Sequence, residues 1–234
     1  MMRIDKLISN STPLSRKEIK SYIKKGLILC NGQTVKSAEL KVDEEKAEIY
    51  VAGERVNYNR FVYLMLNKPA GYVSATYDKR LPVVTELVPE EYAHYEVFPV
   101  GRLDIDTHGL LLLTNDGDLA HRLLSPKNHV PKTYYVESDV PLSEENIKEF
   151  EKGIRIDEDF TAMGAQVEIL GDKKVNLTIY EGKFHQVKRM YEAVGINVVY
   201  LKRLSMGSLV LDAGLEEGNV RELTDEEIEK MNKF

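Results

Sequence analysis

Sixteen residues, Gly101–Asp116 with the sequence GRLDIDTHGLLLLTND, hold the chemistry-bearing side chains of this chain. Arg102, Asp104 and Asp106 run directly into Gly109 and four consecutive leucines. A short apolar run bounded by Gly109 and by Asn115-Asp116-Gly117 predicts a buried strand entered from a tight loop. Charged side chains beside a buried strand are paired or used. A carboxylate in such a loop can act as nucleophile or base without a cofactor. Two aspartates also invite a two-carboxylate hydrolase reading. Residues two apart on an extended segment point to opposite sides, however, so Asp106 is expected to cap or pair rather than react.

Two further clusters accompany the first. Asn67-Lys68-Pro69-Ala70-Gly71-Tyr72 reads as a loop that closes one strand and opens the next. Asn67, Lys68 and Gly71 are read mainly as scaffold. Glu181–Met190 opens a helix in which Val187, Met190, Tyr191 and Val194 recur at i, i+3, i+4 and i+7, marking a packed face. Lys188 lies at the edge of that face, where a cation can reach a site while its stem packs. His121 and His129 lack Cys or acidic partners at ligand spacing, so no metal is expected. His185 is read as a loop or helix-start residue. No phosphate-cradling glycine loop points to ATP or a dinucleotide, and no cofactor is expected.

The elements that must position these residues come from the rest of the chain. Its 234 residues suffice for one domain or two, and 43% apolar with 30% charged residues excludes a disordered chain. The single cysteine, Cys30, cannot form an internal disulfide, which points to a reducing compartment. The start MMRIDKLISN lacks the apolar region of a signal peptide, and no apolar run approaches the roughly 20 residues that span a bilayer. A cytoplasmic, monomeric protein without membrane contact is expected.

Net charge is −6, which speaks against a polyanion partner until its distribution is read. Residues 1–30 carry seven Lys or Arg against two acids, whereas 139–159 and 211–234 each carry three against eight. Local sign matters to a polyanion more than the total. In the basic stretch a helix is expected over 3–9. A second opens at Ser15, whose Ser-x-x-Glu pattern with Glu18 is a capping box, and stops at Gly26. Ile19, Tyr22 and Ile23 form its buried stripe, and Arg16, Lys17, Lys20 and Lys24 fall on an adjoining arc. A strand Leu27–Cys30, the turn Asn31-Gly32 and a strand Ala47–Val51 follow. The outline is two helices and a small hairpin over residues 1 to about 57, with Gly53–Arg60 as linker.

From residue 60 to 234 the pattern changes. Strands are expected at Val62–Leu66, Tyr72–Ala75, Val97–Val100, Leu110–Leu113, Tyr134–Val136, Gln166–Leu170, Val175–Tyr180, Val198–Leu201 and Ser208–Leu211. Helices are expected at Asp118–Leu124, Ser143–Lys152 (with a weak cap at Ser143 and Asn146), Gln186–Val194 and Asp225–Met231. Many strands with helices interspersed irregularly predict an α+β fold with a mixed or antiparallel sheet flanked by helices.

The N-terminal unit resembles the small RNA-binding domain first described in ribosomal protein S-four. Arg3-Ile4-Asp5-Lys6-Leu7, Ser15-Arg16, Gly26 and Asn31-Gly32 carry the likeness. The resemblance implies that Arg3, Arg16, Lys17, Lys20 and Lys24 hold structured RNA through its phosphates, positioning without reading sequence. GRLDIDTHGLLLLTNDGD, with MLNKPAGYV before it, SPKNHVPKTYYV after it and EGKFHQVKRMYEAVG later, resembles the RsuA family of RNA pseudouridine synthases over nearly the whole chain. The segments IDT and HQVKRM are most similar to the members acting on small-subunit (16S) rRNA.

That resemblance implies a cofactor-free isomerase that converts uridine 516 of 16S rRNA, in an assembling small subunit, to pseudouridine. Asp104 would be the nucleophile or base, and Lys188 its cationic partner. Tyr134, in the segment Lys132-Thr133-Tyr134-Tyr135-Val136, would stack on the extruded uracil or relay a proton. Arg102 would fill the gap left in the RNA or grip a phosphate, and Lys132 joins Lys68 among the RNA contacts. The alternatives are a synthase for large-subunit (23S) rRNA, a non-catalytic RNA-binding assembly factor, and a glycosidase-like hydrolase.

Overall fold

The computed structural model describes residues 1–233; Phe234, the last residue of the expected 60–234 region, lies outside them. The chain divides into two compact units. One holds residues 1–62 with 88–97, and the other residues 63–87 with the chain from Phe98 onward.

In the first unit β1 (Met2–Arg3) leads into α1 (Ile4–Ser9) and α2 (Arg16–Lys24). Ser15 caps α2: its hydroxyl accepts the Glu18 N–H at 3.3 Å, and the Glu18 carboxylate accepts the Ser15 N–H at 2.8 Å. Such a cap stabilises a helix by about 1 kcal/mol. Ile19 and Ile23 bury the predicted stripe against Ile4, Leu7 and Ile8 of α1. The strands β2 (Ile28–Cys30), β3 (Gln33–Thr34), β4 (Lys41–Val42), β5 (Ile49–Val51) and β6 (Glu54–Val56) follow. The expected small hairpin is larger than that: β3, β2, β5 and β6 form a four-stranded antiparallel sheet, and β1 pairs separately with β4. Nor is Gly53–Arg60 all linker, because Glu54–Val56 pairs with β5. Ala52 and Gly53 both take positive φ, 51° and 91°, the geometry of a tight hairpin turn. Alanine rarely occupies such a turn, so the sequence carries no signal for it.

The second unit contains β7 (Tyr63–Lys68), β8 (Phe98–Pro99), β9 (His108–Thr114), α3 (Gly117–Leu124), β10 (Lys132–Ser138) and α4 (Glu144–Lys152). After these come β11 (Gln166–Gly171), β12 (Lys174–Ile179), α5 (Gln186–Ala193), β13 (Val198–Met206), β14 (Leu209–Val210), β15 (Val220–Glu222) and α6 (Asp225–Met231). Nine strands form one sheet in the order β11-β12-β10-β13-β9-β7-β15, with β14 on β13 and β8 on β9. All pairings are antiparallel except β9 with β13, which run parallel through Lys202–His108 and Arg203–Gly109. The sheet is mixed, and helices flank it, as the α+β expectation required.

β9 is buried on both faces, which is why four leucines stand in a row there. Leu110 and Leu112 pack with Leu119, Ala120 and Leu123 of α3 and with Met231 of α6. At the parallel seam β9 comes so close to β13 that a Cβ on Gly109 would sit 2.3 Å from the Arg203 carbonyl oxygen. Gly109 also has φ 97°, which other residues rarely adopt.

Two smaller expectations fail. Tyr72–Ala75 is no strand; only Val73 makes an isolated bridge, to Val83. The Val73 N–H donates to the Pro82 carbonyl and the Val73 carbonyl accepts the Val84 N–H, while the Ser74 hydroxyl turns to the Asp104 loop. Ser143 is not a weak cap, since Asn146 completes a full capping box with it.

Candidate active site

The Asp104 loop is fastened from below by the segment that follows β7. The Ser74 hydroxyl donates to the Leu103 carbonyl at 2.9 Å and accepts the Leu103 N–H at 3.0 Å. The Gly71 N–H donates to the Ile105 carbonyl at 2.7 Å. Lys68, at the end of β7 and with no exposed surface, donates its ammonium to the carbonyls of Pro69 (2.9 Å), Ile105 (3.3 Å) and Thr107 (2.9 Å). Burial drives the Lys68 pKa down to about 8, against the opposing pull of Asp106, Asp104 and Glu217. Lys68 is therefore no RNA contact. It is an internal bolt that a phosphate cannot reach, because all three donor hydrogens are directed at the loop backbone.

The loop itself turns rather than extends. The Thr107 N–H donates to the Asp104 carbonyl at 3.1 Å, and the turn brings both carboxylates to one cation. Lys188, on the first turns of α5, lies 2.6 Å from Asp106 Oδ1 and 3.5 Å from Asp104 Oδ2. Asp104 and Asp106 therefore do not alternate as on an extended strand, and Asp106 is paired with Lys188. Burial resists ionisation of Asp106, but the hydrogen bond and charge of Lys188 hold its carboxyl below the usual range. Asp104 keeps 23% of its side chain exposed, and its Oδ1 also faces His185 Nε2 at 3.5 Å. The residue read as a helix start therefore stands at the carboxylate. It precedes α5 in the left-handed conformation, φ 49°.

A cavity of about 300 Å³ opens beside Asp104, at the low end of small-ligand pockets. Arg102, Asp104, Tyr134 and Lys132, all singled out from the sequence, line it. So do His185 and Arg203, which were not. Tyr134 is 8% exposed and sits on β10 between Leu177 of β12 and Arg203 of β13. Arg102 is exposed at the mouth. Lys132 is buried and donates to the Val130 carbonyl at 2.8 Å, so it belongs to the pocket wall and not to an outer phosphate-binding surface. Burial and the nearby Arg203 charge drive its pKa down to about 8, with Glu181 pulling the other way. Arg203 donates from Nε to the Leu110 carbonyl at 2.8 Å, and its buried Nη2 has no partner. The signal for Arg203 was a lone guanidinium among the apolar residues of β13, on the same face as Leu201.

A partly exposed carboxylate at a pocket mouth, with an ammonium 3.5 Å away, can attack as a nucleophile or take a proton as a base. An aromatic wall suits a planar ring. The described residues contain no cluster of three His, Cys, Asp or Glu side chains that could hold a metal ion.

In the first unit, Arg16, Lys17, Lys20 and Lys24 are exposed on α2, and among the described residues none has an ion-pair partner. Arg3 differs. It grips Asp5 with two bonds, 3.0 and 2.8 Å, and approaches Glu39 at 3.4 Å, so much of its charge is answered within the protein.

Residues 62–193 match the family model for RNA pseudouridylate synthase, and residues 2–49 match the S4 domain. A crystal structure of a pseudouridylate synthase superimposes with a TM-score of 0.70 at 40% identity, covering 99% of this chain and 100% of its own. The fold and site thus define an enzyme of RNA, a pseudouridine synthase. An uncharacterized RNA pseudouridine synthase of Bacillus subtilis is 50% identical over 99% of both chains. Ribosomal small subunit pseudouridine synthase A is 42% identical in Haemophilus influenzae, over 99% of this chain and 100% of that protein. The Escherichia coli protein of that name is 39% identical over 97% of this chain and 98% of its own. The chain belongs to the RsuA-type RNA pseudouridine synthases, in which an S4 domain precedes the synthase domain.

Proposed function

We propose that this enzyme converts one uridine of small-subunit rRNA, uridine 516 in the usual 16S numbering, to pseudouridine. The Haemophilus influenzae and Escherichia coli relatives of nearly equal length, named for the small ribosomal subunit, support that target. The N-terminal region, residues 1–57, anchors the RNA through the free cations of α2. The region 60–234 carries out the isomerisation.

The reaction breaks the bond from ribose carbon 1′ to uracil nitrogen 1 and forms one from carbon 1′ to carbon 5. Nitrogen 1 gains a proton and carbon 5 loses one, so atoms balance without a cofactor. The base must leave its stack, which costs a few kcal/mol, and turn over while held. Asp104 supplies the nucleophile or base, and Lys188 stands 3.5 Å from it as its cationic partner. Tyr134 offers its ring to the loose base and its hydroxyl to proton transfer. Arg102 meets the RNA at the mouth. The observation that carries this reading is the Asp104 carboxylate at the pocket mouth, 3.5 Å from Lys188.

The test is the Asp104→Asn change. It should lower pseudouridine formation at least about 1,000-fold while RNA binding persists, since the isostere keeps shape and loses the nucleophile. Turnover near wild type removes Asp104 from the reaction. Mapping pseudouridine in both rRNAs of cells with and without the protein identifies the target. A missing modification in large-subunit rRNA instead would overturn the assignment.

A further inference from the structure

Phe184 is not used by the proposed reaction, yet its ring is 75% exposed. Its chain neighbours Lys183 and His185 both line the pocket. One face of the ring lies against the His185 imidazole, with centroids 3.8 Å apart and planes 17° from parallel. With that face covered, the exposed area belongs to the opposite face and the edges. His185 in turn faces Asp104.

The segment that presents this ring pair is held firmly. The Lys183 N–H donates to Gln186 Oε1 at 2.9 Å, and Gln186 Nε2 donates to Glu181 Oε1 at 2.8 Å. Arg189 donates to the Phe184 carbonyl at 3.4 Å and is itself fixed on Asp157 at 2.6 Å. The left-handed backbone at His185 is a strained conformation for a residue other than glycine, and such strain persists where surrounding contacts over-determine it. A rigid, solvent-facing aromatic face beside a pocket for an extruded base is an arrangement that stacks bases.

We propose that Phe184 is a stacking platform for the base adjoining the extruded uridine. When the uridine leaves the stack, its neighbour loses a partner, and the Phe184 ring replaces it. The cations Arg102 and Lys183, both on the pocket lining, answer the phosphates on either side. A nucleobase fits this site better than a protein side chain because the ring borders a nucleobase pocket and is flanked by cations. The proposal rests on the pseudouridine synthase reading for what enters the pocket.

The probe is a small-subunit rRNA hairpin spanning uridine 516, with 2-aminopurine at the base on the 5′ or the 3′ side of it. Binding is followed with Asp104→Asn protein, so that no turnover intervenes. Quenching of one of the two probes is expected with Phe184 present, and with Phe184→Tyr or Phe184→Trp. Phe184→Leu, which keeps an apolar side chain but no π face, should lose the quenching and weaken binding roughly 5- to 100-fold. On the active background the same change should raise KM by a like factor and leave kcat within about threefold, as expected for uniform binding. Unchanged quenching and KM in Phe184→Leu overturn the platform even if pseudouridine forms normally. Quenching that depends on Phe184 in a protein that forms no pseudouridine in this RNA supports the platform and fails the reaction reading instead.

Discussion

Replacing Lys68 by methionine should leave the protein folded and disable it. Methionine fills nearly the same space but donates nothing. The Ile105 carbonyl keeps the Gly71 N–H at 2.7 Å, whereas the carbonyls of Pro69 and Thr107 lose the ammonium. Each buried carbonyl left unpaired costs about 1–3 kcal/mol, hence ~2–6 for two. Against this, lysine itself carries a burial penalty. Its pKa falls from 10.5 to about 8 on folding. At 1.36 kcal/mol per pH unit, keeping the charge at pH 7 costs about 3 kcal/mol, which methionine escapes. The net effect on stability lies between ~1 kcal/mol gained and ~3 kcal/mol lost.

Activity should fall much further, because the loop bearing Asp104 is freed. A misplacement of about 1 Å can reduce rate 100-fold, and a drop of at least that size in kcat is expected. A pH signature separates this account from simple unfolding. Between pH 8 and 10.5 the unfolded chain holds the Lys68 proton and the folded chain releases it, so stability rises with pH. From pH 7 to 9 the gain is about 1.3 kcal/mol. Lys132, also at about 8, adds a similar slope. Tyr63 and Tyr191, held above the usual tyrosine range by burial, oppose the rise only near pH 10 and above. Urea unfolding at pH 7, 8 and 9 should therefore show a slope in wild type that is halved in Lys68→Met. Single-turnover assays supply the rate. Wild-type kcat in the variant, or an unaltered slope, would refute the bolt.

Asp106→Asn should lower kcat less than about tenfold, since Asp106 orients Lys188 rather than reacting; a loss equal to that of Asp104→Asn would make the two carboxylates one unit. Changing Lys17, Lys20 and Lys24 to Glu should weaken RNA binding and reduce the slope of log K against log salt by about 2. An unchanged slope in a filter-binding titration takes α2 out of the interface. Gly109→Ala should destabilise the synthase domain by more than about 3 kcal/mol, because a Cβ would meet the Arg203 backbone at 2.3 Å and φ is 97°. A small shift in thermal midpoint would mean that the β9–β13 seam relaxes freely.

Local chemistry was written plainly in the chain. Ser15 and Glu18 announced the start of α2, and its apolar stripe at Ile19 and Ile23 is the face that packs. The four leucines after Gly109 announced a strand buried on both sides. The long motifs around Asp104, Tyr134 and Lys188 announced the family. These features depend on neighbours a few residues away, so periodicity and capping reveal them.

Which charge meets which was decided by the sheet. Lys188 lies 82 residues from Asp106, and only β13 returning parallel beside β9, next to β10, brings α5 to the Asp104 loop. The sequence offered Lys68 and Lys132 as RNA contacts because a lysine in a strand carries no mark of its depth. Both are buried in the sheet, where Lys68 donates to the carbonyls of Pro69, Ile105 and Thr107 and Lys132 to that of Val130. The turn at Asp104–Thr107 likewise comes from bonds to Ser74, Gly71 and Lys68, none of them adjacent in the chain. Side-chain type was local information; the partner of each buried charge was a property of strand order.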